Sequence, residues 1–320
     1  MLREIWPFVE AHRNAGRAVV LARLVDRDGP GPRPLGATMA VAADGTWSGS
    51  LSGGCVEGQV LEVARAVLTG TAAQVITVTP GAELLPWEEA PVCAAELRVL
   101  VVPAPDDPIR TAITAALRDD RRLAVRVQLN PPFEWALAAE PIAGTFVDEL
   151  WPRPQLIVVG VTDLAVQLAT LAHRLDRAVT LVDPRPSHVD SGGCPRSVAV
   201  VRAWPDEWIT GRQFGARDAV VVVTHDPRID DGAIRAALTS GAGYVAALGS
   251  RATHAQRLRR LSGTPGLDRL TGPAGLDLGG ESPAETALSI LAELVAVQNR
   301  RPGHRLRDGR RPIRATTQAA

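Results

Sequence analysis

The chain has 320 residues, 46% hydrophobic and 22% charged, with 35 basic and 35 acidic residues that cancel. This composition describes an ordinary soluble protein, excludes the disordered, fibrous and membrane classes, and gives no reason to expect nucleic acid as a partner. Every basic residue is an arginine, which removes the Walker A loop and Schiff-base chemistry.

At the amino end, Met1-Leu2-Arg3-Glu4-Ile5-Trp6-Pro7 places an acid and a proline where a secretion signal needs an apolar core. No run approaches the ~18 apolar residues of a membrane span, so a cytoplasmic protein without a membrane anchor is expected. Residues 5–14 read as a helix and 17–25 as a buried strand. From Asp28 to Gly36, prolines stiffen a loop and hold Arg33 in a fixed direction, as a guanidinium meeting a carboxylate or phosphate requires. A rigid connector with a solvated arginine fits the same residues. Residues 40–47 read as two strands turning at Asp44-Gly45.

The stretch Leu51-Ser52-Gly53-Gly54-Cys55-Val56-Glu57-Gly58 carries the most chemistry. Val56, Val60, Val63, Val67 and Leu68 fall at helical spacing up to Gly70, so Cys55 sits where a strand feeds a helix. Gly53 and Gly54 allow backbone N–H groups to converge, and the helix mouth adds free donors and the positive end of its dipole. The result is an anion pocket with a thiol in it, a setting that favours the thiolate. Glu57 pulls the other way. A small residue buried at a strand–helix corner is the alternative for Cys55. Cys55, Cys93 and Cys194 form no Cys-x-x-Cys pair, which points to reduced thiols rather than disulfides or a zinc ribbon.

Beyond this helix, 74–79 and 97–102 read as strands, 108–117 as a helix, 123–129 as a strand and 144–147 as a last short one. An α+β first domain over 1–149 follows, and the prolines of 150–154 mark a linker. From 150 to 300 the pattern changes. All-apolar runs at 156–160, 179–183, 219–224 and 244–249 alternate with amphipathic helices, the signature of a parallel sheet covered on both faces. A Rossmann-like second domain gathers Gly160, Asp183, Thr224-His225-Asp226 and Gly249-Ser250-Arg251 at the carboxyl ends of its strands. Residues 301–320, rich in arginine, proline and glycine, read as a flexible tail.

A dinucleotide fingerprint needs Gly-x-Gly-x-x-Gly or Ala, with an acid about twenty residues on. Gly160-Val161-Thr162-Asp163-Leu164-Ala165 keeps two of the three small positions, and Asp183 supplies the acid. Thr162 blocks the approach of a pyrophosphate and Asp163 repels it, while Asp183 and Arg185 still suit a ribose hydroxyl and a nearby phosphate.

These residues resemble the xanthine dehydrogenase accessory family (XdhC/CoxI) over nearly the whole chain. The resemblance runs from the loop at 31–36 and Ser52-Gly53-Gly54-Cys55-Val56-Glu57-Gly58 to Thr224-His225-Asp226-Pro227-Arg228, to the segment 244–254, and to 272–279. It implies a cytoplasmic chaperone rather than a catalyst. Such a protein binds molybdenum cofactor, as molybdopterin or its cytidine dinucleotide form, while a cysteine desulfurase installs its sulfido ligand, and hands it to a molybdenum hydroxylase apo-enzyme. A homodimer is expected on the same ground.

The resemblance makes Gly53, Gly54 and Cys55 cofactor contacts, with Cys55 at the metal, and leaves Glu57 either a pterin hydrogen-bond partner or a cap. His225, Asp226, Ser250, Arg251 and His254 would face the second-domain crevice, with Arg251 a cationic lip for phosphate. Alternatively, His225 and Asp226 pair to close a turn. The chain departs from the family pattern at Cys93-Ala94-Ala95, where Cys-Gly-Gly is usual, and at Gly160-Val161-Thr162-Asp163, where Gly-x-Gly-His is usual. An NAD(P)-dependent oxidoreductase, and a scaffold that binds no cofactor, are the other two functions considered.

Overall fold

A computed structural model describes residues 1–29, 31, 33–79, 96–138, 140–189, 194–195, 198–310 and 313. They fall into two compact units, Met1–Pro152 and Arg153–Arg310. The division falls within residues 150–154, and Leu150, at its near end, still pairs with Leu123 in a sheet.

In chain order the first unit holds α1 (Leu2–Asn14), β1 (Val19–Arg27), β2 (Thr38–Ala42), β3 (Trp47–Gly49), α2 (Glu57–Leu68), β4 (Gln74–Val78), β5 (Leu97–Pro103), α3 (Asp107–Arg118), β6 (Leu123–Gln128), β7 (Trp135–Leu137) and β8 (Thr145–Leu150). Its larger sheet runs β3-β2-β1-β5-β4 and its smaller one β7-β6-β8, all antiparallel. Strand β1 is central and has no solvent face. Val20, Ala22 and Leu24 pack with Val60, Ala64 and Val67 of α2, while Val19 and Leu21 pack with Leu2, Ile5 and Val9 of α1. This two-sided cover explains why β1 reads as an unbroken apolar run.

One residue breaks that run. Arg23 is fully buried and pairs with Asp148 of β8, tying the two sheets together. Its Nε donates to Thr38 Oγ1 at 3.3 Å, and the guanidinium lies 5.3 Å from the Phe146 ring centre and 5.5 Å from that of Trp135.

The second unit holds β9 (Gln155–Val159), α4 (Asp163–Arg174), β10 (Ala178–Val182), α5 (Pro186–Val189), β11 (Ala199–Val201), α6 (Pro205–Ile209), β12 (Ala219–Val222), α7 (Pro227–Thr239), β13 (Tyr244–Ala247), α8 (Arg251–Arg260), β14 (Leu270–Thr271) and α9 (Pro283–Gln298). Its six strands are all parallel in the order β11-β10-β9-β12-β13-β14. That is the doubly wound arrangement, with its switch point between β9 and β12. Leu156 and Val158 face the core under α4 and α9, and Ile157 and Val159 face the core under α7.

Among the described residues no helix is long and apolar enough to cross a membrane. Cys93-Ala94-Ala95 and, in the tail, residues 311, 312 and 314–320 lie outside the described residues; within the tail, Leu306–Asp308 forms a short 3-10 turn.

Candidate functional site

The Gly-Gly-Cys loop lies between β3 and α2, and its amides do converge, but on a carboxylate of the same chain. Glu57 Oε1 accepts from Ser50 Oγ at 2.7 Å, from the N–H groups of Leu51 and Ser52 at 3.0 Å, and from that of Gly53 at 3.2 Å. Oε2 accepts from Ser52 Oγ at 2.7 Å, from Gly54 N–H at 2.9 Å and from Val56 N–H at 3.2 Å. Ser52 Oγ in turn takes the N–H of Cys55 at 3.0 Å. The anion pocket expected for a ligand is therefore filled by Glu57, which has no lone pair left for a pterin ring. Burial works against this charge, but the N–H groups and serine hydroxyls outweigh it and hold the Glu57 carboxyl far below its usual range.

This construction turns the loop's functional side outward. Gly53 (φ +91°) and Gly54 (φ +127°) occupy backbone that favours glycine, and among the described residues nothing lies within 4 Å of where a Cβ on either would sit. Cys55 beside them is exposed, so the buried-corner alternative does not hold. Helix α2 begins at Glu57 with Val56 as a cap that has no side-chain acceptor. Ser50 and Ser52 are essential parts of this loop that the sequence reading passed over. Their signal was a serine on either side of Leu51, each able to reach back into a turn.

Arg33 meets a carboxylate as expected, but that of Glu4, at 2.5 Å. Glu4 also accepts from the amino terminus at 2.9 Å. Among the described residues, no group of three or more His, Cys, Asp or Glu side chains is placed to hold a metal ion.

In the second unit, Gly160 follows β9 at the switch point and Asp183 follows the neighbouring β10, and neither is left open to a nucleotide. Asp183 is fully buried. Its Oδ1 accepts the N–H and Nε of Arg185, both at 2.9 Å, and its Oδ2 accepts Val161 N–H at 2.9 Å and Arg185 Nη2 at 2.7 Å. Against the penalty of burial, Arg185 and the Val161 amide hold this carboxyl below its ordinary value. Four donors on two oxygens leave no lone pair for a ribose hydroxyl. Gly160 (φ +112°) serves packing, since a Cβ there would lie 2.7 Å from Thr224 Cγ2. Thr162, in place of the fingerprint's middle glycine, caps α4 through Oγ1 and the Ala165 amide at 3.2 Å.

The arrangement at Asp183-Pro184-Arg185 recurs at Asp226-Pro227-Arg228. Asp226 caps α7 and holds Arg228 through both carboxylate oxygens, and the Arg228 guanidinium and N–H depress its pKa to about 2. Asp226 is thus paired with Arg228 rather than His225, which is exposed at φ +62°, a left-handed conformation unusual outside glycine. Behind this rim lies a network that sequence reading missed. Thr224 donates to Asp230, Asp230 pairs with Arg257 at 3.3 Å, and Arg257 Nη2 donates to the Leu248 carbonyl at 3.0 Å. Burial raises the Asp230 pKa, and burial beside Arg257 lowers that of His254. Ser250 caps α8 through the Thr253 amide, with Arg251 as the next residue. Cys194 is half-buried with its thiol pKa pushed up by that burial.

The comparisons with known proteins cover both units. The description "XdhC and CoxI family" matches residues 12–79, and "XdhC Rossmann domain" matches residues 156–294. The chain is 27% identical over 312 residues to a probable xanthine dehydrogenase subunit of Bacillus subtilis strain 168, covering 88% of this chain and 93% of that protein. It is 24% identical over 305 residues to the molybdenum cofactor insertion chaperone PaoD of Escherichia coli strain K12, covering 92% of this chain and 88% of that one. A crystal structure of a xanthine dehydrogenase from Bacillus halodurans shares the fold with a TM-score of 0.77 at 21% identity, covering 92% of this chain and 96% of that one. The first match takes in β1, β2, β3, the Cys55 loop and α2, the second runs from β9 into α9, and on both counts the chain belongs to the XdhC and CoxI family.

Proposed function

We propose that this chain is a cytoplasmic maturation factor for a molybdenum hydroxylase, holding molybdenum cofactor at Cys55 before the cofactor passes to the apo-enzyme. The observation that carries the reading is the exposed sulfur of Cys55 on a loop whose polar groups are satisfied internally by Glu57. A thiolate is a soft ligand suited to molybdenum or its dithiolene surroundings, and the bare flanks of Gly53 and Gly54 leave room for a bulky guest. The Escherichia coli relative, a molybdenum cofactor insertion chaperone, supports the same role, and the Bacillus subtilis relative, a probable xanthine dehydrogenase subunit, supports the class of enzyme served. Glu57 in this reading shapes the loop and touches no cofactor. The cofactor supplies the metal and its dithiolene; this chain supplies the thiol, the room and the fixed backbone. A cysteine desulfurase acting on the held cofactor, and a homodimer, belong to the same proposal.

The test is pterin extraction and chromatography of protein purified from a host that makes the cofactor. Near-stoichiometric pterin is expected in wild type, with about a tenfold or greater loss in Cys55→Ala. Equal retention by both proteins overturns a thiol-centred site. The saturation of Asp183 predicts no NAD(P)H fluorescence response at about millimolar dinucleotide.

A further inference from the structure

Within the second unit, the amino-terminal turn of α8 and the loop leading to α9 flank an open cavity of about 650 Å³ lined by Gly249, Ser250, Arg251 and Ala252 on one side and residues 273–277 on the other. The loop is braced from behind. The Gly275 amide donates to Glu293 Oε2 at 2.8 Å, and the same oxygen accepts the Tyr244 hydroxyl at 2.6 Å. Ser289 Oγ donates to the Leu276 carbonyl. Gly272 lies flat against the His254 ring, where any Cβ would overlap the imidazole.

The facing wall is cationic. Helix α8 carries Arg251 at its first position and no acid in its first turn, although a guanidinium at the positive end of a helix is disfavoured unless an anion accompanies it. Ser250 Oγ caps the Thr253 amide, so the Arg251 and Ala252 amides at the helix mouth have no side-chain acceptor. A second observation lies beneath Gly249. Arg257 is 1% exposed, yet among the described residues its Nε and Nη1 have no hydrogen-bond partner. Buried guanidinium donors are rarely left unmatched. A Cβ on Gly249 (φ +145°) would lie 3.7 Å from Arg257 Nη1, an ordinary contact distance, so the buried cation lies against a residue that lines the cavity.

We infer that this cavity binds the phosphoryl group of a phosphate ester or diphosphate. The Arg251 and Ala252 amides and the Arg251 guanidinium contact the oxygens, and Arg257 contributes charge from behind Gly249. Asp277 is the opposing charge on the lining, and it is exposed and screened by water. The inference does not require the cofactor reading of the first unit.

The test is calorimetric titration of the full chain with inorganic phosphate, pyrophosphate and a nucleoside diphosphate. Saturable pyrophosphate binding below about 10 mM is expected. Ala252→Glu puts an acid where the helix dipole favours one, so the variant keeps its fold while losing about tenfold or more in affinity. Arg251→Gln weakens binding and Asp277→Asn tightens it by about twofold or more. Tighter binding of the nucleoside diphosphate than of pyrophosphate marks a nucleotide as the source of the phosphoryl group, and equal binding marks a bare phosphate site; both support the inference. No saturable binding of any of the three ligands, or wild-type affinity in folded Ala252→Glu, overturns it.

Discussion

Two buried charges in the first unit show how differently a carboxylate can be stabilised. Among the described residues Glu57 is held by N–H and O–H donors and by no cation, so removing it strands the buried amides of Leu51, Ser52 and Val56 at once. Glu57→Ala is expected to lose about 2–4 kcal/mol in urea unfolding, and Cys55 in that variant should be alkylated at an altered rate, because the loop that presents it is no longer fixed. The folded carboxyl titrates far below 4.5, so its stabilisation is complete above the unfolded value and lost as pH falls through the folded one. Wild type and Glu57→Gln should therefore differ most near neutral pH and converge in acid, which parallel urea titrations at neutral and acidic pH would check. Arg23 and Asp148, by contrast, pair with each other away from water between two sheets. Asp148→Ala leaves an unpaired buried guanidinium and should lose about 3–5 kcal/mol, while Arg23→Met with Asp148→Leu should fall near wild type.

At the scale of elements, the strand–helix turns of the second unit are fixed by packing where a nucleotide-binding protein would fix them for its ligand. Gly160→Ala sets a Cβ 2.7 Å from Thr224 Cγ2 and strains the backbone, and is expected to lose about 2–4 kcal/mol, part of it recovered by Thr224→Ser, which removes that methyl. The central parallel strands were legible in the sequence because cover on both faces demands unbroken apolar runs. Short β7, β11 and β14 were not, since two or three residues carry no period. At the site, Gly53, Gly54 and Cys55 stood out through residue type alone, but the role of Glu57 did not. A glutamate that caps, binds or fills a nest is the same letter, and only the backbone turn decides which. Asp183 looked available to a ribose for a related reason, since nothing in Asp-Pro-Arg says that the arginine folds back; its recurrence at Asp226-Pro227-Arg228 is the hint in hindsight. Arg257 is one of four arginines on α8, and burial is what sets it apart.

On the scale of the whole molecule, the division between Pro152 and Arg153 leaves each unit with its own sheets and its own cores. Each piece is about 150 residues, long enough to bury a core without help. The two proposed binding chemistries fall on opposite sides of the cut: a thiol for a soft metal in one piece, amides and guanidinium for a phosphoryl group in the other. Residues 153–310 expressed alone are therefore expected to unfold cooperatively and to bind pyrophosphate within about threefold of the full chain, while residues 1–152 fold and do not bind it. Calorimetry on both pieces checks this. A folded 153–310 piece that has lost pyrophosphate would mean that the cavity beside α8 is completed by residues outside its own unit, which the bracing of its loop by Glu293, Ser289 and His254 argues against.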